Sequence, residues 1–318
     1  MKVLANDGIS ASGISALKNA GYTVITDKVN QNDLIDYINK EDIGVLLVRS
    51  ATVARQDMID ACPGLKLIGR GGVGMDNIDV QYARDNGRTV INTPAASSQS
   101  VAELVMGHLF AISRFLNDSY KNMETGDFST LKKNYGKGVE LKGKNITIVG
   151  FGRIGQSLAE YAIGCGMNVT AVDMYTEPRN LTIQLGNGIS ASATITPINS
   201  LEEGIRNADY ISLHVPKQAD GSAVISKKEF DLMKDGVRIA NAARGGVINE
   251  DDLMEALNSG KVAGVALDVF ENEPNPRKDL LNHPKIACTP HIGAATGEAQ
   301  DRIGTELASL IIEKFGTF

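Results

Sequence analysis

Short apolar, β-branched runs alternate with stretches of helical periodicity along most of this chain. In the first third, residues 3–5, 22–26, 44–48, 65–69 and 89–92 read as strands, and 12–20, 32–39, 56–62 and 80–86 as the helices between them. The run 44–48 (GVLLV) is apolar throughout, as suits a strand covered on both faces. A β-α-β order built from such strands predicts an open parallel sheet with helices on both sides. Thr93-Pro94 stops the last of these strands. A long helix is expected over 98–116, with Val101, Leu104, Val105, His108, Leu109 and Ile112 on one face. The pattern fades over 117–144, a polar, glycine-containing stretch that predicts an extended arm. It resumes with strands at 145–149, 169–172, 209–215, 237–241, 262–267 and 285–288. The helices there are expected at 153–165, 200–206, 227–233, 249–258 and 297–315. Asn249 is a natural N-cap for its helix and Gly260 a natural stop.

The stretch 145–173 organises the rest. Its first strand runs into Gly150, Gly152 and Gly155, spaced G-x-G-x-x-G, then into a helix, and its second strand ends at Asp173. Gly150 permits a sharp exit from the strand. Gly152 leaves the backbone bare, and Gly155 lets the helix pack closely on the sheet. The helix start, with unpaired N–H groups and the positive end of its dipole, favours a phosphate. A carboxylate at Asp173 can accept from both hydroxyls of an adenosine ribose and repels a 2′-phosphate. The unit therefore predicts a dinucleotide site with NAD preferred to NADP.

The 318 residues allow two domains. A net charge of −6, with no basic run to offset it, argues against nucleic acid as a partner. No apolar run reaches membrane-spanning length and the N-terminus has no signal-peptide pattern, so no membrane partner and a cytoplasmic location are expected. Cys62, Cys165 and Cys288 lie far apart without metal spacing and are expected to be reduced; no metal is expected.

Four loops fall at carboxyl ends of expected strands, where open α/β sheets bind ligands: 150–155, 241–246, 268–274 and 289–294. Arg244, Glu273 and His291 stand in the last three. A histidine suits removal of a hydroxyl proton while a hydride leaves a secondary alcohol. A carboxylate beside it would fix its tautomer, and an arginine fork would take a carboxylate group of the substrate. Taken singly, each has an ordinary explanation: a surface arginine, a loop glutamate, a histidine held in a turn by Pro290. His108, on an apolar helix face, reads as a packed core or interface residue.

Eight stretches in order carry a resemblance to the D-isomer-specific 2-hydroxyacid dehydrogenases: VRSAT (48–52), GRGGVGMDNID (69–79), NTP (92–94), SVAELVMG (100–107), GFGRIG (150–155), NAARGGVINE (241–250), AGVALDVFENEP (263–274) and TPHIGAATGEAQ (289–300). The likeness is greatest to the phosphoglycerate dehydrogenase branch. It implies Arg244, Glu273 and His291 as the catalytic set; Glu271, two residues earlier, is not the matching position. It implies NAD contacts at Gly150, Gly152, Arg153, Ile154, Gly155, Asp173, Val215, Ala242, Ala243, Asp268, His291 and Gly293. Substrate contacts are implied at Arg49, Ser50, Val73, Gly74, Arg244 and His291. Val73 departs from the threonine of some relatives, and His214 and His283 gain no catalytic role.

The implied fold is two doubly wound parallel-sheet domains. A Rossmann nucleotide-binding domain (98–289) is inserted into a smaller flavodoxin-like substrate domain (1–97 and 290–318), with two crossing helices at the hinge and the substrate in the cleft. A homodimer joined through the nucleotide domains, with the arm 117–144 in the contact, is implied as well. The implied reaction is NAD-dependent oxidation of 3-phosphoglycerate to 3-phosphohydroxypyruvate, the first step of serine synthesis. The alternatives are a glyoxylate or hydroxypyruvate reductase, a D-lactate dehydrogenase, and, in another class, an NAD-sensing corepressor. A phosphorylated substrate needs a second anion site, for which Arg49 is the first candidate and Arg70 and Lys132-Lys133 the others. The chain stops at Phe318, so serine feedback through a C-terminal regulatory domain is not expected.

Overall fold

The computed structural model describes residues 1–318, and the chain divides into two compact units, Met1–Ser98 with Ala294–Phe318, and Gln99–Gly293. The first unit begins β1 (Lys2–Ala5), α1 (Ala11–Asn19), β2 (Thr23–Ile25), α2 (Leu34–Lys40), β3 (Ile43–Val48), α3 (Gln56–Ala61), β4 (Leu67–Arg70), α4 (Val80–Asp85) and β5 (Thr89–Asn92). Its five strands are parallel in the order β2-β1-β3-β4-β5. This is the flavodoxin-like order, with a switch point between β1 and β3. All six residues of β3 are buried, as a strand covered on both faces requires.

The second unit opens with α5 (Ser98–Arg114), α6 (Leu116–Asn122) and α7 (Phe128–Tyr135). Then come β6 (Asn145–Val149), α8 (Arg153–Gly164), β7 (Asn168–Val172), β8 (Arg179–Gly186), β9 (Ile189–Ile195), α9 (Leu201–Arg206) and β10 (Tyr210–Leu213). It closes with α10 (Lys227–Leu232), β11 (Val237–Asn241), α11 (Glu250–Ser259), β12 (Val262–Leu267), α12 (Lys278–Asn282) and β13 (Ile286–Cys288). Six of the strands form a parallel Rossmann sheet, β13-β12-β11-β10-β6-β7, whose switch point lies between β6 and β10. Asn249 caps α11 by accepting from Asp252 N at 2.9 Å, and Gly260 ends it in the left-handed region.

Two segments differ from expectation. Residues 117–144 hold two short helices rather than only an extended arm, and neither buries a residue. Local bonds hold them: Asp127 caps α7 through Thr130 N at 2.7 Å, and Tyr135 donates to Asp118 across the pair at 2.8 Å. Residues 179–195, where no element is expected, form the antiparallel hairpin β8–β9. Asn187 and Gly188, both at positive φ, make its two-residue turn. Leu181 and Ile183 are buried on its inner face, and Leu181 joins Leu158, Ala159 and Ala162 of α8 in one core cluster. The hairpin takes the place of a crossover helix. The chain then returns beside β7 through a single parallel bridge, Val172 to Ile198.

The last helix, α13 (Gly297–Phe315), belongs to the first unit and lies along α1. Leu17, Ile303, Leu307 and Ile311 pack together there. The helices approach through glycine: a Cβ at Gly13 would stand 2.6 Å from the carbonyl oxygen of Gly304. Gly13→Val should therefore force the helices apart and cost about 1–3 kcal/mol of stability. A urea-unfolding midpoint equal to wild type would contradict this packing.

Candidate active site

In the second unit, the glycine loop leaves β6 at the switch point. Gly150 has φ +93°, and a Cβ there would lie 2.5 Å from His214 O at the end of β10. A Cβ at Gly155 would lie 2.2 Å from Gly150 O, whereas nothing stands within 4 Å of the Cβ position at Gly152. Three glycines thus serve a turn, an open approach and a close helix contact. Gly152 also occupies the N-cap of α8 without any side-chain cap, leaving the first N–H groups of the helix to a ligand or water. Asp173 follows β7; its carboxylate accepts from Phe151 N at 2.6 Å and from Tyr175 N at 3.0 Å, which aims it at the glycine loop. A bare helix start and an acid beside it fit a dinucleotide. Arg153 and Ile154 open α8, exposed and half-buried, and Val215 is half-buried just beyond β10.

His214 has its Nε2 2.8 Å from Ser212 Oγ, and burial pulls its pKa down to about 4, so the ring is neutral at physiological pH.

Beyond β11, Asn241 folds the next loop on itself: its side chain donates to Arg244 O and accepts from Ala243 N, each at 3.0 Å. Ala242, Ala243 and Arg244 are half-buried, and Arg244 Nη1 donates to Ala243 O at 2.6 Å. The loop beyond β12 delivers Asp268 and Glu273. Asp268 is 1% exposed and accepts from Ile292 N and Gly293 N, both at 2.8 Å. Glu273 accepts from Phe270 N at 3.0 Å through one oxygen and meets His291 Nδ1 at 2.8 Å through the other. His291, at φ +53°, stands in a tight turn after β13. Glu273 and His291 share the wall of a cavity of about 390 Å³ whose other lining, including Phe270, Pro276 and Leu281, is mostly apolar. Glu271 instead exchanges bonds with Glu250: each accepts from the other's backbone N–H, at 2.9 and 3.3 Å.

Arg49, Ser50, Val73 and Gly74 belong to the carboxyl edge of the first unit's sheet, after β3 and β4. Arg49 and Gly74 are half-buried, and Ser50 and Val73 exposed. Two residues absent from the sequence-based candidates hold the 49–52 loop. Asp7, beyond β1, accepts from Arg49 N (2.7 Å), Thr52 N (3.0 Å), the Thr52 hydroxyl (2.7 Å) and the Lys28 ammonium. From the other side, Asn77 donates to Arg49 O and Thr52 O, each at 2.6 Å. Asp7's place after a strand beside the switch point was the available signal.

The profile of the D-isomer specific 2-hydroxyacid dehydrogenase NAD binding domain matches residues 106–293. A hydroxypyruvate reductase of Thermotoga maritima is 39% identical over 318 residues, covering 99% of this chain and 98% of its own. D-3-phosphoglycerate dehydrogenase of Methanocaldococcus jannaschii is 38% identical over 311 residues. This alignment takes in 98% of the present chain and 57% of the Methanocaldococcus protein; the chain spans about half the length of the phosphoglycerate dehydrogenases it matches. Among solved structures, a glyoxylate reductase from Paecilomyes thermophila superposes with a TM-score of 0.83 at 28% identity, covering all of this chain and 96% of its own. The chain belongs to the D-isomer specific 2-hydroxyacid dehydrogenase family. Its cofactor is accordingly NAD. No helix is long and apolar enough to cross a membrane.

The Asp7 hub carries a pH signature. Burial raises its pKa, but the Lys28 ammonium, Arg49 N–H and the two Thr52 donors outweigh that and hold it below the usual 3.8. A depressed carboxyl pKa stabilises the fold above the unfolded value, and the stabilisation is lost as pH falls through the folded one. Asp7→Asn should cost on the order of 1–3 kcal/mol at neutral pH. In urea titrations from about pH 6 downward, the gap to wild type should narrow as the carboxyl protonates; a constant gap would remove the charge from the account.

Proposed function

We propose that the protein interconverts a D-2-hydroxy acid and its 2-keto acid, with 3-phosphoglycerate as the hydroxy acid. The observation that carries the chemistry is the 2.8 Å contact between His291 and Glu273 on a cavity wall. Bound NAD supplies the hydride acceptor. Gly150, Gly152, Arg153, Ile154 and Gly155 hold its pyrophosphate, and Asp173 its adenosine ribose. Val215, Ala242, Ala243, Asp268 and Gly293 line the rest of its path.

His291 takes the hydroxyl proton at Nε2, because Nδ1 faces Glu273. The Glu273 carboxylate, fixed by Phe270 N, holds the ring's orientation and offsets the positive charge it gains. Arg244 pairs with the substrate carboxylate and stabilises charge on the oxygen that becomes a carbonyl. Arg49, Ser50, Val73 and Gly74 contact the substrate, with Arg49 toward the phosphate. The serine-biosynthetic role follows from that substrate.

A homodimer is supported by Phe110, Leu116, Tyr120, Met123 and Phe128, large apolar side chains left 43–86% exposed along α5–α7.

One observation favours a second reading. The Thermotoga relative that this chain covers almost completely is a hydroxypyruvate reductase, so an unphosphorylated keto acid, hydroxypyruvate or glyoxylate, is the alternative substrate. A panel of D-2-hydroxy acids and keto acids with NAD and NADH separates the two. No turnover of any member would refute the enzymatic assignment, including against an NAD-sensing corepressor.

His291→Asn should lower kcat by about 100- to 10,000-fold while NADH binding, followed by fluorescence, stays within a few-fold. Near-wild-type turnover would remove His291 from proton transfer. Arg49→Met should raise KM for 3-phosphoglycerate by about one to two decades, the equivalent of a lost charge-assisted bond, and affect D-lactate much less. The readout is the ratio of kcat/KM for the two acids. A ratio unchanged by the substitution would exclude Arg49 from the phosphate site, and a wild-type preference for the unphosphorylated acid would favour the second reading.

A further inference from the structure

We propose that His108 is a positioning residue for the turn that carries His291, acting through Thr289 and Asp268; this rests on His291 as the proton acceptor. His108 lies on α5, only 6% exposed, far in sequence from every residue assigned to the chemistry. Its Nε2 is 3.0 Å from Thr289 Oγ1, and the Thr289 hydroxyl donates to Asp268 Oδ1 at 2.6 Å. The same Oδ1 accepts from Ile292 N and Oδ2 from Gly293 N, both at 2.8 Å. Pro290 and His291 are the two residues between Thr289 and these anchors, and the His291 N–H donates to Thr289 O at 3.1 Å.

The directions of these bonds follow from the donors. Both Asp268 oxygens face backbone N–H groups, so Asp268 acts as the acceptor and the Thr289 hydroxyl spends its single proton on it. Thr289 Oγ1 then has only lone pairs left for His108, which must present Nε2–H. Burial lowers the His108 pKa, with the Asp268 charge acting in the opposite sense, which favours the neutral ring.

Without the Nε2–H donor, the Thr289 hydroxyl is free to rotate away from Oδ1. The carboxylate then loses one of the three donors that aim it at the turn. Packing alone is a separate contribution: Val101, one face-repeat earlier on α5, stands 3.3 Å from the Cβ position at Gly293 and supports the turn whatever residue 108 is.

Two measurements decide the matter. The chain has four histidines, so ¹⁵N-histidine labelling gives a tractable spectrum. Long-range ¹H–¹⁵N correlations on the full-length protein should show His108 as the Nε2–H tautomer, and Thr289→Val should abolish that fixed state. In turnover of the best acid from the panel, His108→Leu should lower kcat about 3- to 10-fold, the rate equivalent of one neutral hydrogen bond. His108→Gln, whose amide can donate from nearly the same point, should restore most of it. The losses in His108→Leu and Thr289→Val should be non-additive in the double variant. An Nδ1–H tautomer, a glutamine variant as slow as the leucine one, or additive losses would overturn the proposal. If the wild-type protein turns over no acid, the enzymatic reading fails by itself, and the tautomer in wild type and Thr289→Val still decides whether the relay exists.

Discussion

The register between two parallel strands governs how Glu273 and His291 come together in the second unit. Leu267 of β12 pairs with Cys288 of β13, and Thr289 N donates to Leu267 O at 3.0 Å. Asp268 and Thr289 therefore leave the sheet side by side, and the loops they begin carry Glu273 and His291. A slip of one residue would turn every side chain of β13 to the opposite face. Ile286 packs into one core cluster and Ala287 into the other, so a slip would exchange a large side chain for a small one on each face. The 2.8 Å contact between Glu273 and His291 is thus set first by sheet packing and only then by the loops.

The two units meet the same topological requirement with different groups. At the switch point of the first, a carboxylate, Asp7, collects donors from the loop beyond β3. In the second, Gly150 and Gly155 bring backbone to backbone, and Gly152 leaves a helix start bare. One solution fixes a loop by charge-assisted bonds; the other clears space for an anion. In both units these groups lie at the carboxyl edge of a sheet whose strands are all parallel.

Much of this was legible in the sequence because buried parallel strands are apolar at nearly every position and their turns are marked by glycine. The glycine spacing at 150–155 and the acid at 173 are local signals, and the structure brings them together through Phe151 N. The hairpin at 179–195 was legible too: Asn187-Gly188 sits between alternating runs, a strong hairpin signal. Even so, the segment carries no element in the expectations, which pass from Asp173 to the helix at 200–206. The helices of 117–135 were not legible by periodicity, because they bury nothing and depend on caps. Asp7 was hidden for another reason. Its partners lie more than twenty residues away, so its place after β1 marks the position but not the bonds that folding creates. Glu273 and His291 were recognisable by residue type and by family resemblance; their contact spans 18 residues and rests on the β12–β13 register.

Gly245 links two loops that sequence treats as separate. A Cβ there would lie 1.8 Å from Phe270 O and 2.1 Å from its carbon, so the arginine-bearing loop and the glutamate-bearing loop touch through their main chains. The paired bonds between Glu250 and Glu271 fasten the same two segments a turn further on. Residues 241–250 and 268–274 thereby form a single mechanical unit. A chimera that imports either loop alone keeps this contact only if position 245 remains glycine, because any Cβ there would meet the Phe270 carbonyl.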